Sequence, residues 1–137
     1  MTSWCGYHSS VLTNQGWLAY TSMPYLPDAG PGGCGTNFVN QKNDRFGHGY
    51  LDGFSMVAGH EYAEVVTDPQ VTGNPISTSV PYNGQWGWAE AVGAENGDKC
   101  VWSIQSTNVR FGRYTFAVQP LWSNAANSGL GDCVLSG

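Results

Sequence analysis

Apolar residues recur at helical spacing in one part of the chain only, residues 52–67. There Phe54, Ala58, Tyr62, Val65 and Val66 fall on one arc at about 100° per residue. His60, Glu61, Glu64 and Asp68 share a neighbouring arc roughly 100° wide. The pattern predicts a helix started by Asp52-Gly53 or a Ser55 cap and stopped by Pro69, which lacks an N–H and restrains the residue before it. Elsewhere the signals are short and β-like: WLAYTSMPY (17–25), QWGWAEA (85–91), KCVWSI (99–104) and RYTFAVQPLW (113–122) are predicted strands. Glycine and proline punctuate the rest. PDAGPGGCGTN (27–37), GAENGD, QSTNVRFG and the tail SNAANSGLGDC are predicted loops, and 69–85 is predicted as an ordered loop able to wall a cleft. There is no internal repeat and no heptad pattern. The expected fold class is α+β, a β-rich single domain over residues 1–137 with one main helix at about 52–67.

Composition narrows the partners. Charged residues are 11% of the chain and the net charge is −5, while five scattered basic residues form no run, so neither nucleic acid nor an anionic membrane surface is an expected partner. No apolar run approaches the length that crosses a bilayer. Cys5, Cys34, Cys100 and Cys133 form an even set without a CxxC pair, which favours two disulfides in an oxidising compartment over a zinc knuckle. Of the three possible connectivities we favour Cys5 with Cys34 and Cys100 with Cys133. The cysteines therefore predict a secreted, extracellular protein. The chain begins without the basic and apolar regions of a leader, so a removed leader or pro-segment is expected upstream.

Against so little charge, the acids and imidazole of the helix stand out. In zinc peptidases with an HExxH helix, residues four apart project side by side and bind one metal, while the intervening Glu activates water. Here Glu64 holds the second ligand position. A carboxylate oxygen is a legitimate zinc ligand, so His60 and Glu64 are candidate metal ligands and Glu61 the candidate general base. An anionic ligand also makes the site more tolerant of harder ions such as manganese or calcium, with zinc preferred. A third ligand is expected from Glu95 or Asp98 in GAENGDKC, in preference to Asp68. His8, in WCGYHSS, is a candidate ligand or a donor to an oxyanion, and His48 has a weaker claim. Tyr82 and Trp88 are candidate substrate contacts. Each has a plainer alternative: a solvated helix face, a turn in which Asp bonds backbone amides, a structural histidine, or aromatic core.

The words WCGYHS, MPYLPD, CGTNF, LDGFSMVAGHEYAEVVTDP, GAENGDKCVW and FAVQPLWSN run in one order through nearly the whole chain. In that order the chain resembles secreted bacterial proteins related to the plant EXORDIUM, or phosphate-induced, family. The resemblance covers His8, His60, Glu61, Glu64, Glu95 and Asp98. It implies an extracellular, cell-wall-associated setting and a metal-like constellation without an established reaction. The helix alone is also similar to that of the zincin peptidases, which implies a minimal zincin-like scaffold with Glu64 in place of the usual His. The expected function is a small secreted metal-dependent peptidase-like hydrolase, a monomer acting on peptide or protein. The rival is a non-catalytic metal-binding protein that engages cell-wall polysaccharide or peptide.

Overall fold

The periodic stretch folds as α1, His48–Thr67, at the centre of a mixed α+β structure. The computed structural model describes residues 4–30, 32–40, 48–69 and 94–135. Tyr82, Trp88, the expected strand over 85–91 and most of the expected loop over 69–85 lie outside the described residues, as does the side chain of His48. The helix ends two residues ahead of Pro69, as the proline requires, with the Asp68 amide still bonded to the Glu64 carbonyl at 2.6 Å. Its start differs from expectation. It begins at His48, so Asp52 lies inside the helix and caps nothing there. The Asp52 carboxylate, 1% exposed, instead accepts hydrogen bonds from the amides of Val39 and Asn40 at 2.9 and 2.7 Å and from Asn40 Nδ2 at 2.6 Å.

The orientation of α1 also departs from the simple amphipathic reading. Its acids Glu61 and Glu64, and Asp68 just after it, are buried, whereas Tyr62 and Val66 of the apolar arc are 69% and 63% exposed. Only Met56 and Val57 bring fully buried apolar side chains to the core, where Val57 joins Leu26 and Cys34.

Three antiparallel hairpins surround the helix. β1 (Tyr7–Thr13) pairs with β2 (Gly16–Ser22), and their turn is fastened by Thr13, whose hydroxyl donates to the Gly16 carbonyl and accepts from the Gln15 amide. Strand alternation turns His8 and Ser10 inward. β3 (Thr107–Phe111) pairs with β4 (Tyr114–Val118) through a two-residue turn in which Gly112 adopts φ 60°. β5 (Leu121–Ser123) pairs with β6 (Asp132–Val134), and a four-residue helical turn, α2 (Ala126–Gly129), lies between them. Both β1–β2 and β4 pack on α1.

Several sequence expectations are corrected. Residues 99–104 are not a strand: Asp98–Cys100 is a 3-10 turn, and a chain of turn hydrogen bonds continues it as far as the Ser106 amide. The expected strand over 113–122 is two strands, broken at Gln119-Pro120 where the proline cannot donate to a ladder. QSTNVRFG contains β3, and the tail contains β6. β3 is exposed at every position and β6 is only three residues long, so neither carries the alternation of apolar and polar residues that marks a strand. β1 likewise escaped notice in the serine-rich YHSS.

The favoured disulfides form, Cys5–Cys34 and Cys100–Cys133, closing loops with separations of 29 and 33 residues. On the chain-entropy view each restrains the unfolded chain by roughly 3–4 kcal/mol. They suit an oxidising compartment. No helix among the described residues is long and apolar enough to cross a membrane.

Replacing Asp52 by Ala leaves two backbone amides without their buried charged acceptor. The substitution is expected to cost about 3 kcal/mol in urea unfolding, with Asp52→Asn recovering part of the loss. A loss below about 1 kcal/mol for the Ala variant argues against this anchoring role.

Candidate metal centre

Three segments converge on the inward face of α1. The helix supplies His60, Glu61 and Glu64, the residue after it Asp68, strand β1 His8, and the turn before Cys100 Glu95 and Asp98. Helical spacing places His60 and Glu64 one turn apart, and their Nε2 and Oε1 atoms lie 3.0 Å from each other. The same Nε2 is 3.3 Å from Asp98 Oδ1. Thus Glu64 and Asp98 address one ring nitrogen of His60. The other, Nδ1, faces Gln119 Oε1 at 3.4 Å. The Gln119 amide is oriented by its own donation from Nε2 to the carbonyls of Gly97 and Pro120, at 3.0 and 3.3 Å. That arrangement assigns the Nδ1–H tautomer to His60 and turns the Nε2 lone pair toward the acids when the ring is neutral.

His8 is placed differently. Its Nδ1 is 3.5 Å from Glu61 Oε2 and 3.4 Å from Glu64 Oε2, while its Nε2 donates to the backbone carbonyl of Asp68 at 3.0 Å. Glu95 Oε1 lies 3.5 Å from that Nε2, but the nitrogen already serves the carbonyl, and Glu95 Oε1 is left without a well-formed hydrogen bond. His8 therefore meets its acids through two different nitrogens. Glu64 joins the two imidazoles, with Oε1 toward His60 and Oε2 toward His8. Two overlapping groups, His60 with Glu61 and Glu64, and His8 with Glu64 and Glu95, have ligand atoms within 4.8 Å of one another.

The turn is organised around these contacts. The Asp98 amide donates to Glu64 Oε1 at 3.2 Å, and Asp98 Oδ2 accepts from the Glu95 amide at 3.1 Å. The plainer expectation for Asp98, a turn-forming Asp, is thus met by one oxygen while the other faces His60. Glycine permits the close approach on both sides. A Cβ at Gly97 would lie 2.8 Å from Glu64 Oε1, and one at Gly6 would lie 2.5 Å from Glu61 Oε1. Gln119, Gly6 and Gly97 escaped the sequence reading because nothing local distinguishes them; their roles come from the tertiary approach.

The charge balance is lopsided. Glu61, Glu64, Asp68 and Glu95 are all at most 7% exposed, and with Asp98 they surround two imidazoles. Burial opposes the imidazolium of His8, yet Glu61, Glu64 and Glu95 outweigh it and raise the group to about 10. For His60, burial is likewise outweighed by Asp98 and Glu64, again raising it to about 10. Burial alone would raise Glu64, but the two imidazoles hold it down to about 2. Glu95 goes the other way: burial, the neighbouring Asp68 carboxyl and the Glu64 charge push it up to about 9 against the pull of His8. Asp68 Oδ1 and Asn96 Oδ1 are also buried without a hydrogen bond among the described residues.

These shifts fix a pH profile for the protein kept metal-free with chelator. Glu64 stabilises the fold above its ordinary value of 4.5, and that contribution is lost as pH falls toward 2. Glu95 contributes below 4.5 and loses its contribution as pH rises to about 9. The two histidines contribute fully below 6.5 and lose it as pH climbs to about 10. Stability is therefore expected to peak near pH 4.5, decline gently to 6.5 and fall more steeply above it. Urea melts across this range check the sign, and a stability that rises from pH 6.5 to 9 contradicts the arrangement.

Comparison of the chain with protein-family models, with curated proteins and with solved structures gives no match. The reading of the site rests on its residues and their geometry.

Proposed function

We propose that this is a secreted metal-dependent hydrolase of peptidase type, with a divalent cation, preferably zinc, held by His60, Glu64 and Asp98. The observation that carries the reading is the convergence of Glu64 Oε1 and Asp98 Oδ1 on His60 Nε2, at 3.0 and 3.3 Å. Ligand atoms about 2.0 Å from a tetrahedral ion are about 3.3 Å apart, so the His60 contacts fit this coordination shell. Gln119 on Nδ1 supplies the outer hydrogen bond that a ligating imidazole requires. The excess of buried acid supports the same conclusion, because a cation offsets what two imidazoles cannot. His8 fits less well as a ligand, since its nearest acids lie on different ring nitrogens. Of the two candidate third ligands, Asp98 faces His60, while Glu95 faces His8 and Asp68. The resemblance of the motif words to EXORDIUM-related proteins, and of the helix to zincins, supports an extracellular metal site. The disulfides support secretion.

When bound, the ion supplies Lewis acidity and makes water more acidic. Glu61, grouped with His60 and Glu64 within 4.8 Å, would be the residue that takes up a proton and passes it to a leaving amine. His8 holds the carboxylates of Glu61 and Glu64 in place. With both ring nitrogens engaged and its side chain 3% exposed, it acts by positioning these groups, not as an oxyanion donor. Asp98, whose side chain is 44% exposed, marks the side from which a peptide enters.

One observation favours a second reading. The Glu61 side chain is only 5% exposed, which suits a structural ion in a protein that binds wall polysaccharide or peptide without cleaving it. Calcium is the alternative ion in that case.

Metal analysis and titration calorimetry are expected to show one zinc per chain, with Glu64→Gln losing it. Glu61→Gln is expected to retain the metal while its kcat/KM on a peptide library falls by about 10²–10⁴. Cleavage unchanged in Glu61→Gln removes the base role. Metal binding without any cleavage, together with a large drop in Tm on chelation, selects the structural reading.

A further inference from the structure

The arc of α1 beside the acids, followed toward the helix N-terminus, borders a second feature, a cleft of about 850 Å³ between the helix, β4 and the segment after β2. Its wall is hydrocarbon and aromatic, formed by Met23, Tyr25, Leu51, Phe54, Ala58 and Phe116. At about 100° per residue, Ala58 lies about 120° round the helix from Glu64, and Leu51 and Phe54 lie nearer the N-terminus. The cleft is thus separate from the His and carboxylate cluster. Its size is that of a small-molecule site.

Most polar groups on this wall are already engaged. The Asp52 carboxylate is taken by Val39 and Asn40, and the Ser55 hydroxyl donates to the Ala117 carbonyl at 2.6 Å. Among the described residues, Arg113 is the one cationic side chain on this wall. It lies on the wall at the β3–β4 turn, and one of its N–H groups donates to the Tyr114 hydroxyl at 2.7 Å, which orients the guanidinium. The guanidinium also lies 5.0 Å from the centre of the Tyr114 ring, and its remaining N–H groups donate to no other group among the described residues. In a chain with five basic residues and a net charge of −5, a cation at the mouth of an apolar cleft is a specific placement.

We propose that the cleft binds an apolar monocarboxylate, with the hydrocarbon body against Leu51, Phe54 and Phe116 and the carboxylate on Arg113. Charge complementarity selects this occupant. A neutral apolar molecule leaves the guanidinium unused, and a polar anion leaves the aromatic wall uncovered. The planar fork of Arg113 matches a carboxylate by two parallel hydrogen bonds.

The test compares octanoate with 1-octanol, which share a chain and differ in charge, by titration calorimetry on the whole protein. Octanoate is expected to bind saturably and at least about tenfold more tightly than octanol, the size of one charged hydrogen-bonded contact. Arg113→Gln is expected to erase that difference and leave octanol unchanged. Ala58→Trp, at an exposed helix position on the wall, is expected to block both by filling the cleft. Each variant is melted alongside the parent, so that lost binding is scored only on folded protein. Equal affinity for the two probes, an octanoate affinity indifferent to Arg113→Gln, or no saturable binding of either probe overturns the proposal. So does an apolar peptide that occupies the cleft and is not displaced by octanoate, which assigns the surface to protein instead.

Discussion

The constraint on which the rest depends is that α1 turns its acids inward. Burying Glu61 and Glu64 on one helix face, with Asp68 just beyond the helix end, carries a desolvation cost that apolar packing cannot offset, so the surrounding chain must bring positive charge and donors to it. Strand β1 supplies the His8 ring, the helix supplies His60, and the turn before Cys100 supplies the Asp98 amide. The Cys5–Cys34 disulfide ties the approach to β1, and Cys100–Cys133 ties the turn to β6, so both cross-links lie next to segments that carry the cluster. Among the described residues few large apolar side chains are fully buried, Leu26 and Met56 chief among them, which makes that anchoring the more necessary.

The helix was legible because its signal is local: spacing on one face, and a proline after it. Which face points inward was not, since an apolar arc containing Tyr62 and Val66 ordinarily defines the buried side. The reversal follows from the partners of the acids, which come from segments 50 residues before and 30 after them in sequence. The cluster itself was legible as residue types. His8, His60, Glu61, Glu64, Glu95 and Asp98 were each singled out by a short word, and the structure brings all six together. What no word announced is the division among them: Asp98 toward His60, Glu95 toward His8, and Gln119 behind His60.

The strands show the same limit from the other side. β3, fully exposed, and the three-residue β6 exist because a partner strand satisfies their backbone, whereas KCVWSI has strand-forming residues and no partner ladder among the described residues. Local propensity lost there to the Asp98 turn and to the left-handed backbone at Trp102, φ 56°.

Glu64 explains why the two imidazoles belong to one unit. Each of its oxygens faces a different ring, so a change in the charge of either histidine is felt by the carboxylate that both share. If a cation takes the His60 side, as proposed, it replaces the proton on His60 as the partner of Oε1. With Oε2 on His8, the carboxylate is held on its inner side while Oε1 stays turned toward His60. An inner imidazole that steadies the ligand oxygen is then required for the same reason that Gln119 is required behind His60. Both outer contacts orient a ligand atom that a solvated side chain would let turn. His8 therefore belongs with Glu64, as the group that orients its carboxylate, more than as an independent member of the site.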